Sequence, residues 1–184
     1  MHGKTASPIA RSVGITLLEM LIVVAILSIV LTVGLPSFTE TAGRIEAGSA
    51  SRSLQSALGL AKSEAAKRGL TVSVCPTTDG QQCAAGQWNN GWIVFVDANG
   101  DASGGAGSID ANDTIIQISD VSAQSVVTAT TNLIQYDSRG YGLNDEIQTL
   151  TVCPPDGNAE NARQLEIGIT GRVRLIVDDL TCAS

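Results

Sequence analysis

The apolar segment at residues 15–35 limits more than any other feature what this chain can fold into. Glu19 is its only charged residue, and its length is that of an α-helix that crosses a bilayer. Lys4 and Arg11 precede it and no acidic residue does, so the positive-inside tendency keeps the N-terminus in the cytoplasm. The remainder of the chain is therefore predicted to lie outside the cytoplasm.

A cleavable secretory signal is the alternative interpretation, because it also joins a basic start to an apolar stretch. Such a signal is usually shorter, carries no carboxylate and ends in an A-x-A-like site, which residues 33–37 do not supply. Glu19 is itself costly in an apolar helix unless a positive group meets it. Cleavage after Gly14 would provide that group, since Ile15 would then carry a free ammonium four residues before Glu19.

Residues 14–19, with the sequence GITLLE, resemble the cleavage and methylation motif of type IV prepilins and type II secretion pseudopilins. The resemblance implies that residues 1–14 are a leader, which a prepilin peptidase removes after Gly14, and that Ile15 becomes an N-methylated first residue. The family usually has phenylalanine at the position of Ile15. The resemblance also implies that Glu19 meets the ammonium of a neighbouring subunit during assembly. Pro36 falls where many family members carry a helix-kinking proline.

A simple signal anchor is a further interpretation of the same segment. The helix would then only hold the protein in the membrane, and Glu19 would extend its carboxylate to the headgroups. Only the prepilin interpretation requires cleavage after Gly14.

After Phe38 the pattern becomes amphipathic, with small and apolar residues at helical spacing. We expect these residues to face a sheet: Ala47, Ala50, Leu54, Ala57, Leu58, Ala61 and Ala65. The pattern predicts one helix from about Thr16 to about Arg68 that Gly69 ends. Residues 15–69 would form this helix, whose first part, 15–35, is transmembrane.

From Leu70 onward, short β-branched runs alternate with turns rich in glycine and aspartate. The predicted strands are 70–74, 92–96, 114–118, 125–128, 133–136, 148–152, 164–169 and 172–177. The fold class is therefore α+β, with the long N-terminal helix packed on an antiparallel β domain at 70–184.

Three segments of the mature chain resemble the GspH/FimT branch of the pilin-like proteins: residues 54–65, 88–97 and 171–174. The resemblance implies a minor pilin at or near the tip of a type IV pilus, or alternatively a pseudopilin of type II secretion. It implies major and minor pilins, a prepilin peptidase and an inner-membrane assembly platform as partners. The protein would first lie in the bacterial inner membrane, with a periplasmic C-terminal domain, and later in a pilus or pseudopilus.

The composition argues against an enzyme. His2 is the only histidine and lies in the predicted leader, which excludes histidine-dependent nucleophilic catalysis and histidine-ligated metals from the mature chain. No nucleophile and base stand at a recognisable spacing, and no cofactor is expected apart from calcium, treated below. The formal charge of -7 is unfavourable for nucleic acid, so any DNA contact would need a local basic patch.

Four cysteines, Cys75, Cys83, Cys153 and Cys182, lie in the part predicted to be outside the cytoplasm. An even number in an oxidising compartment indicates two disulfides. Three pairings are possible, of which Cys75 with Cys83 and Cys153 with Cys182 are favoured, because they close a short loop and tie the C-terminal tail to a strand. A zinc site is the alternative, but paired C-x-x-C units are missing.

Asp97, Asn99 and Asp101 place oxygen ligands at alternating positions of a glycine-rich loop, a pattern suited to calcium. The loop departs from an EF-hand, since Ala102 and Ser108 occupy the positions of the turn glycine and the bidentate glutamate. A solvated loop of turn-forming residues is the alternative.

Arg172 and Arg174 stand two apart on the last predicted strand, so that both face one side of the sheet. Such a pair suits contact with the phosphates of DNA. Residues 171–174 match a Gly-Arg-x-Arg element that is associated with DNA binding in the FimT branch. The alternative is a solvent-facing strand whose arginines pair across the sheet with acids such as Glu166.

Overall fold

The computed structural model describes residues 15–86, 88–100, 102, 108–120 and 125–182, with the backbone alone at 32–39 and 120. It is α+β, with one long helix, α1 (Leu17–Arg68), followed by eight strands. They are β1 (Thr71–Pro76), β2 (Gly91–Asp97), β3 (Thr114–Asp120), β4 (Val126–Ala129), β5 (Ile134–Tyr136), β6 (Gln148–Cys153), β7 (Arg163–Ile167) and β8 (Val173–Ile176). Each overlaps one strand predicted from the sequence.

The chain divides into two compact units, Met1–Phe38 and Thr39–Ser184. In the first unit, helix α1 begins where the Thr16 hydroxyl oxygen accepts a hydrogen bond from the Glu19 backbone N–H at 3.2 Å. Glu19 thus lies in the first turn, where a negative charge suits the helix dipole. The large apolar side chains between Ile15 and Leu31 are exposed. Among the described residues, no helix combines the length and the apolar character that crossing a membrane requires.

In the second unit, helix α1 presents the predicted apolar stripe to the core. All seven stripe residues are buried: Ala47, Ala50, Leu54, Ala57, Leu58, Ala61 and Ala65. The helix ends at Arg68 because Gly69 adopts a left-handed conformation (φ 67°) and donates its N–H to the Ala65 carbonyl at 2.9 Å. Small residues in the stripe let the helix axis approach the strands closely.

The strands form two antiparallel four-stranded sheets, in the orders β3-β2-β1-β5 and β4-β6-β7-β8. One core lies under the helical stripe and takes side chains from both sheets, among them Val72, Trp92, Leu150 and Leu165. The sequence predicted one antiparallel β domain and did not indicate that its strands divide into two sheets. This division follows from the pairing of β1 with β5 rather than with a later strand.

The first sheet is covered on both faces, and every residue of β2 is buried. Trp92, Val94 and Val96 point to the main core, whereas Ile93 and Phe95 join a second cluster with Cys75, Ala102 and Leu133. This second cluster requires the loops on the far side of the sheet as a cover. The acidic loop after β2 therefore has a packing role through Ala102 and Ile109.

Candidate functional site

The processing and assembly residues fall in the first unit. Gly14 and the rest of the predicted leader lie outside the described residues, and Pro36 is described by its backbone alone, which is helical. Ile15 is 64% exposed, just ahead of the first helical residue. The Glu19 side chain is also exposed, so its carboxylate is accessible to a group on another molecule. The roles assigned to Gly14, Ile15, Glu19 and Pro36 stay predictions.

Both disulfides favoured from the sequence are present. Cys75 in β1 is bonded to Cys83 with Cα atoms 5.5 Å apart, and this loop covers the second hydrophobic cluster. Cys153 at the end of β6 is bonded to Cys182 with Cα atoms 5.8 Å apart, which ties the C-terminal segment to the second sheet. Zinc ligation by these four sulfurs is thereby excluded.

Of the three proposed calcium ligands, Asp97 already accepts hydrogen bonds from the backbone of its own loop. Asp97 is buried, and its carboxylate accepts the backbone N–H groups of Gly100 at 2.7 Å and Ala102 at 3.3 Å. The Asn99 amide donates to the Asp110 carboxylate at 3.3 Å, whereas Asp101 lies outside the described residues. No group of three His, Cys, Asp or Glu side chains is placed to hold a metal ion within the described ranges. Calcium binding stays a prediction, and the contacts seen are those of a turn-forming loop.

The two arginines of the Gly-Arg-x-Arg element have different surroundings. Arg174 lies in β8 directly opposite Glu166 of β7, and its Nη1 is 3.5 Å from the Glu166 carboxylate. The cross-strand pair expected as the alternative to DNA contact is therefore formed, although the Arg174 side chain remains 70% exposed. Arg172 precedes β8, is exposed and has no ion-pair partner in the part of the chain that the structure describes.

Arg172 borders a surface pocket of about 470 Å³, called here the basic pocket. The described residues that line it come from helix α1, the β5–β6 loop and the turn before β8: Lys62, Arg139, Gly140, Tyr141, Thr170 and Arg172. Three of them are cationic, and none is a carboxylate. Neither the net charge nor the spacing of residues along the predicted strands indicated this group of cations, because its members are far apart in the chain.

Two of the three cations of the basic pocket, Lys62 and Arg139, are held in place by neighbouring groups. The Lys62 ammonium donates to the carbonyls of Thr170 at 3.1 Å and Gly171 at 3.2 Å. Arg139 donates two N–H groups to one Asp137 carboxylate oxygen, at 2.8 and 3.0 Å, and its guanidinium carbon lies 5.3 Å from the centre of the Tyr141 ring. The hydrogen bonds from Arg139 are the main cause that lowers the pKa of the Asp137 carboxyl.

The Asp137 carboxylate also shapes the backbone around Arg139. Its second oxygen accepts the backbone N–H groups of Arg139 at 2.8 Å and Tyr141 at 2.9 Å. The adjoining Gly142 N–H donates to the Ile169 carbonyl at 3.0 Å, which links this loop to the turn before β8. The pocket is therefore built from two turns joined to each other and to helix α1.

The fold is that of the type IV minor pilins. The crystal structure of the type IV minor pilin FimU from Pseudomonas aeruginosa (strain PAO1) matches with a TM-score of 0.56 at 20% identity, over 80% of this chain and 98% of that one. A second crystal form of FimU gives 0.54 at 18% identity, over 74% and 98%. The minor pseudopilin EpsH from the Type 2 Secretion System of Vibrio cholerae gives 0.48 at 15% identity, over 73% and 98%.

The sequence identifies the family to which the chain belongs. The family model described as Type II transport protein GspH matches residues 50–171, which is more than half of the chain. The chain belongs to the GspH family. No curated protein matches it by sequence.

Proposed function

We propose that this protein is a minor pilin of a type IV pilus, which enters the filament through its N-terminal helix at or near the tip. The observation that carries the proposal is the fold shared with the minor pilin FimU, together with an exposed apolar helical segment that begins in a prepilin-type motif. In this role, residues 15–35 first anchor the subunit in the inner membrane and then pack among the helices of the filament. Other pilins, a prepilin peptidase and the inner-membrane assembly platform are its partners.

A pseudopilin of type II secretion is the second candidate, and the description of the matching family model favours it. The two functions are separated by deleting the gene and scoring piliation and protein secretion in the same strain. The minor-pilin proposal expects fewer pili with normal secretion. Normal piliation with lost secretion would reject it in favour of the pseudopilin.

Processing is tested in the complemented strain by replacing Gly14 with a bulky residue. We expect Gly14→Trp to leave the precursor uncut, so that its mass keeps the leader, and to abolish complementation. Glu19→Ala is the companion variant, which should be cut normally yet fail to assemble, because the carboxylate that meets a neighbour's ammonium is missing. A Gly14→Trp protein with the mature mass would contradict the prepilin assignment.

We further propose that the protein contacts DNA through Arg172 and Arg174. The exposure of both side chains supports this, and so does the place of Arg172 in the basic pocket. Such binding is independent of sequence and falls steeply with salt, because it releases counterions from the DNA backbone. Unchanged gel shift and DNA uptake in the Arg172→Ala, Arg174→Ala double variant would reject this contact.

A further inference from the structure

The described lining of the basic pocket places three cations around one cavity and includes no carboxylate. Lys62, Arg139 and Arg172 converge from segments that are distant in sequence, and Asp137 balances Arg139 from outside the lining. Like charges around a concave surface raise the local positive potential and attract an anion. The chain is acidic as a whole, so this local inversion of charge singles out the pocket.

The donors that remain free in the pocket are suited to an oxyanion. Arg139 uses two of its five N–H groups on Asp137, and Lys62 uses two of its three on backbone carbonyls. The planar guanidinium groups of Arg139 and Arg172 fit the oxygens of phosphate better than an ammonium does. Because Asp137 and Tyr141 already hold Arg139, little side-chain entropy is lost when it binds.

We propose that the basic pocket binds a backbone phosphate of DNA, and that Arg139, rather than Arg174, acts with Arg172 in holding it. Lys62 adds the third positive charge and fixes the turn that carries Arg172. Arg174 contributes less, because it is not among the described residues that line the pocket. This inference rests on the proposed DNA contact, yet it keeps only Arg172 of the Gly-Arg-x-Arg element in the pocket and adds Arg139 and Lys62 from outside that element.

The experiment compares single glutamine variants of the full-length protein in nonionic detergent. Binding of a short fluorescein-labelled duplex DNA is followed by anisotropy at several NaCl concentrations. The variants are Arg139→Gln, Arg172→Gln and Arg174→Gln, with Arg52→Gln as a control that removes one exposed arginine of helix α1. Arg139 is 76% exposed in its side chain, so its loss should leave the melting temperature nearly unchanged.

We expect Arg139→Gln and Arg172→Gln each to weaken binding by about tenfold, the effect of losing one charge-assisted contact. Each should also reduce the slope of log K against log salt by about 1. Arg174→Gln should weaken binding less than either of these variants, and Arg52→Gln should change the affinity by no more than about twofold. That pattern supports the basic pocket as the phosphate site.

Three results would overturn the inference in different ways. If Arg174→Gln weakens binding and Arg139→Gln does not, the pocket is wrong while the proposed DNA contact survives. If the unaltered protein binds no DNA, the DNA contact fails as well. Inorganic phosphate, added at constant ionic strength, is the second probe: shifts of the Arg139 and Arg172 side-chain NMR signals without any DNA binding would reject DNA as the source of the oxyanion.

Discussion

Gly171 packs against the backbone carbonyl of Gly140 so closely that a β-carbon at position 171 would overlap its oxygen. The same β-carbon would lie 3.1 Å from two atoms of the Tyr136 ring, and Gly171 also has a left-handed backbone (φ 68°). The glycine of the Gly-Arg-x-Arg element thus lets the turn before β8 dock on the loop that carries Arg139. We expect this packing to position Arg172.

We predict that Gly171→Ala destabilises the protein considerably more than Gly157→Ala. Gly157 has nearly the same backbone angle (φ 70°), but a β-carbon there meets nothing within 4 Å. Both variants lose about 1 kcal/mol or somewhat more from the left-handed conformation. Gly171→Ala must additionally shift one of two joined turns, which we expect to cost at least about 1–3 kcal/mol more, as overpacking does.

Urea denaturation followed by tryptophan fluorescence gives both free energies of unfolding. Equal losses of unfolding free energy in the two variants would mean that the turns at Gly171 and Gly140 can move apart without strain. DNA binding by Gly171→Ala, measured below its unfolding range, shows in addition whether the turn positions Arg172.

We predict that the buried alanines of helix α1 lie at positions where the core has no room for a larger side chain. Ala61 is fully buried against the sheets, whereas Ala66 on the next turn is exposed. Leucine at position 61 inserts three carbons into a packed core, so we expect Ala61→Leu to lose about 1–3 kcal/mol. Ala66→Leu is the matched control and should stay within about 0.5 kcal/mol of the unaltered protein in thermal or urea unfolding. An Ala61→Leu protein as stable as this control would show that the stripe is loosely packed.

Local patterns in the sequence were sufficient to predict the elements of the fold. The helical stripe from Ala47 to Ala65 is buried as its spacing predicts, since a period of 3.6 residues states which side of a helix is apolar. The end of the helix at Gly69 could be predicted equally well, because a left-handed cap favours glycine. These features depend on residues within a few turns of one another.

The pairing of the strands and the meeting of distant side chains in one pocket could not be predicted in the same way. Alternation of apolar residues indicates that β1 and β5 are strands, but it does not state that they pair and so divide the domain into two sheets. Likewise, Lys62, Arg139 and Arg172 are unremarkable singly, and only the folded chain brings them to one pocket. The strand spacing joined Arg172 to Arg174 and named Glu166 as a cross-strand partner, but it did not indicate which of the two arginines Glu166 pairs with.

The disulfide between Cys153 and Cys182 is predicted to stabilise the protein more than the one between Cys75 and Cys83. Their sequence separations are 29 and 8 residues, and a longer closed loop removes more chain entropy from the unfolded state. The chain-entropy relation gives about 3.6 kcal/mol for the longer loop and about 2.6 kcal/mol for the shorter one.

The free energies of unfolding in urea are compared for the paired alanine variants, Cys153→Ala with Cys182→Ala and Cys75→Ala with Cys83→Ala. Cys75 is fully buried in the second cluster, so its truncation adds a packing loss to the entropic one. Measurement of the unaltered protein with and without a reductant isolates the crosslinks from that packing loss. A larger loss from the Cys75 pair would therefore indicate that packing in the second cluster outweighs loop closure.

Acid is predicted to destabilise the second unit, with the loop at Asp137 as one source. The pKa of Asp137 is lowered chiefly by the hydrogen bonds from Arg139, and that of Asp110 chiefly by the backbone N–H of Asn112. A carboxyl whose pKa is lower in the folded state contributes its full stability above its unfolded pKa, and that contribution is lost as the pH falls through the folded value. The melting temperature should therefore decline below about pH 4, where unfolded aspartates begin to take up protons.

Asp137→Asn keeps an oxygen for the two backbone N–H groups but no longer titrates, so its melting temperature should decline less steeply over that range. Parallel declines for the variant and the unaltered protein would show that Asp137 contributes no pH-dependent stability.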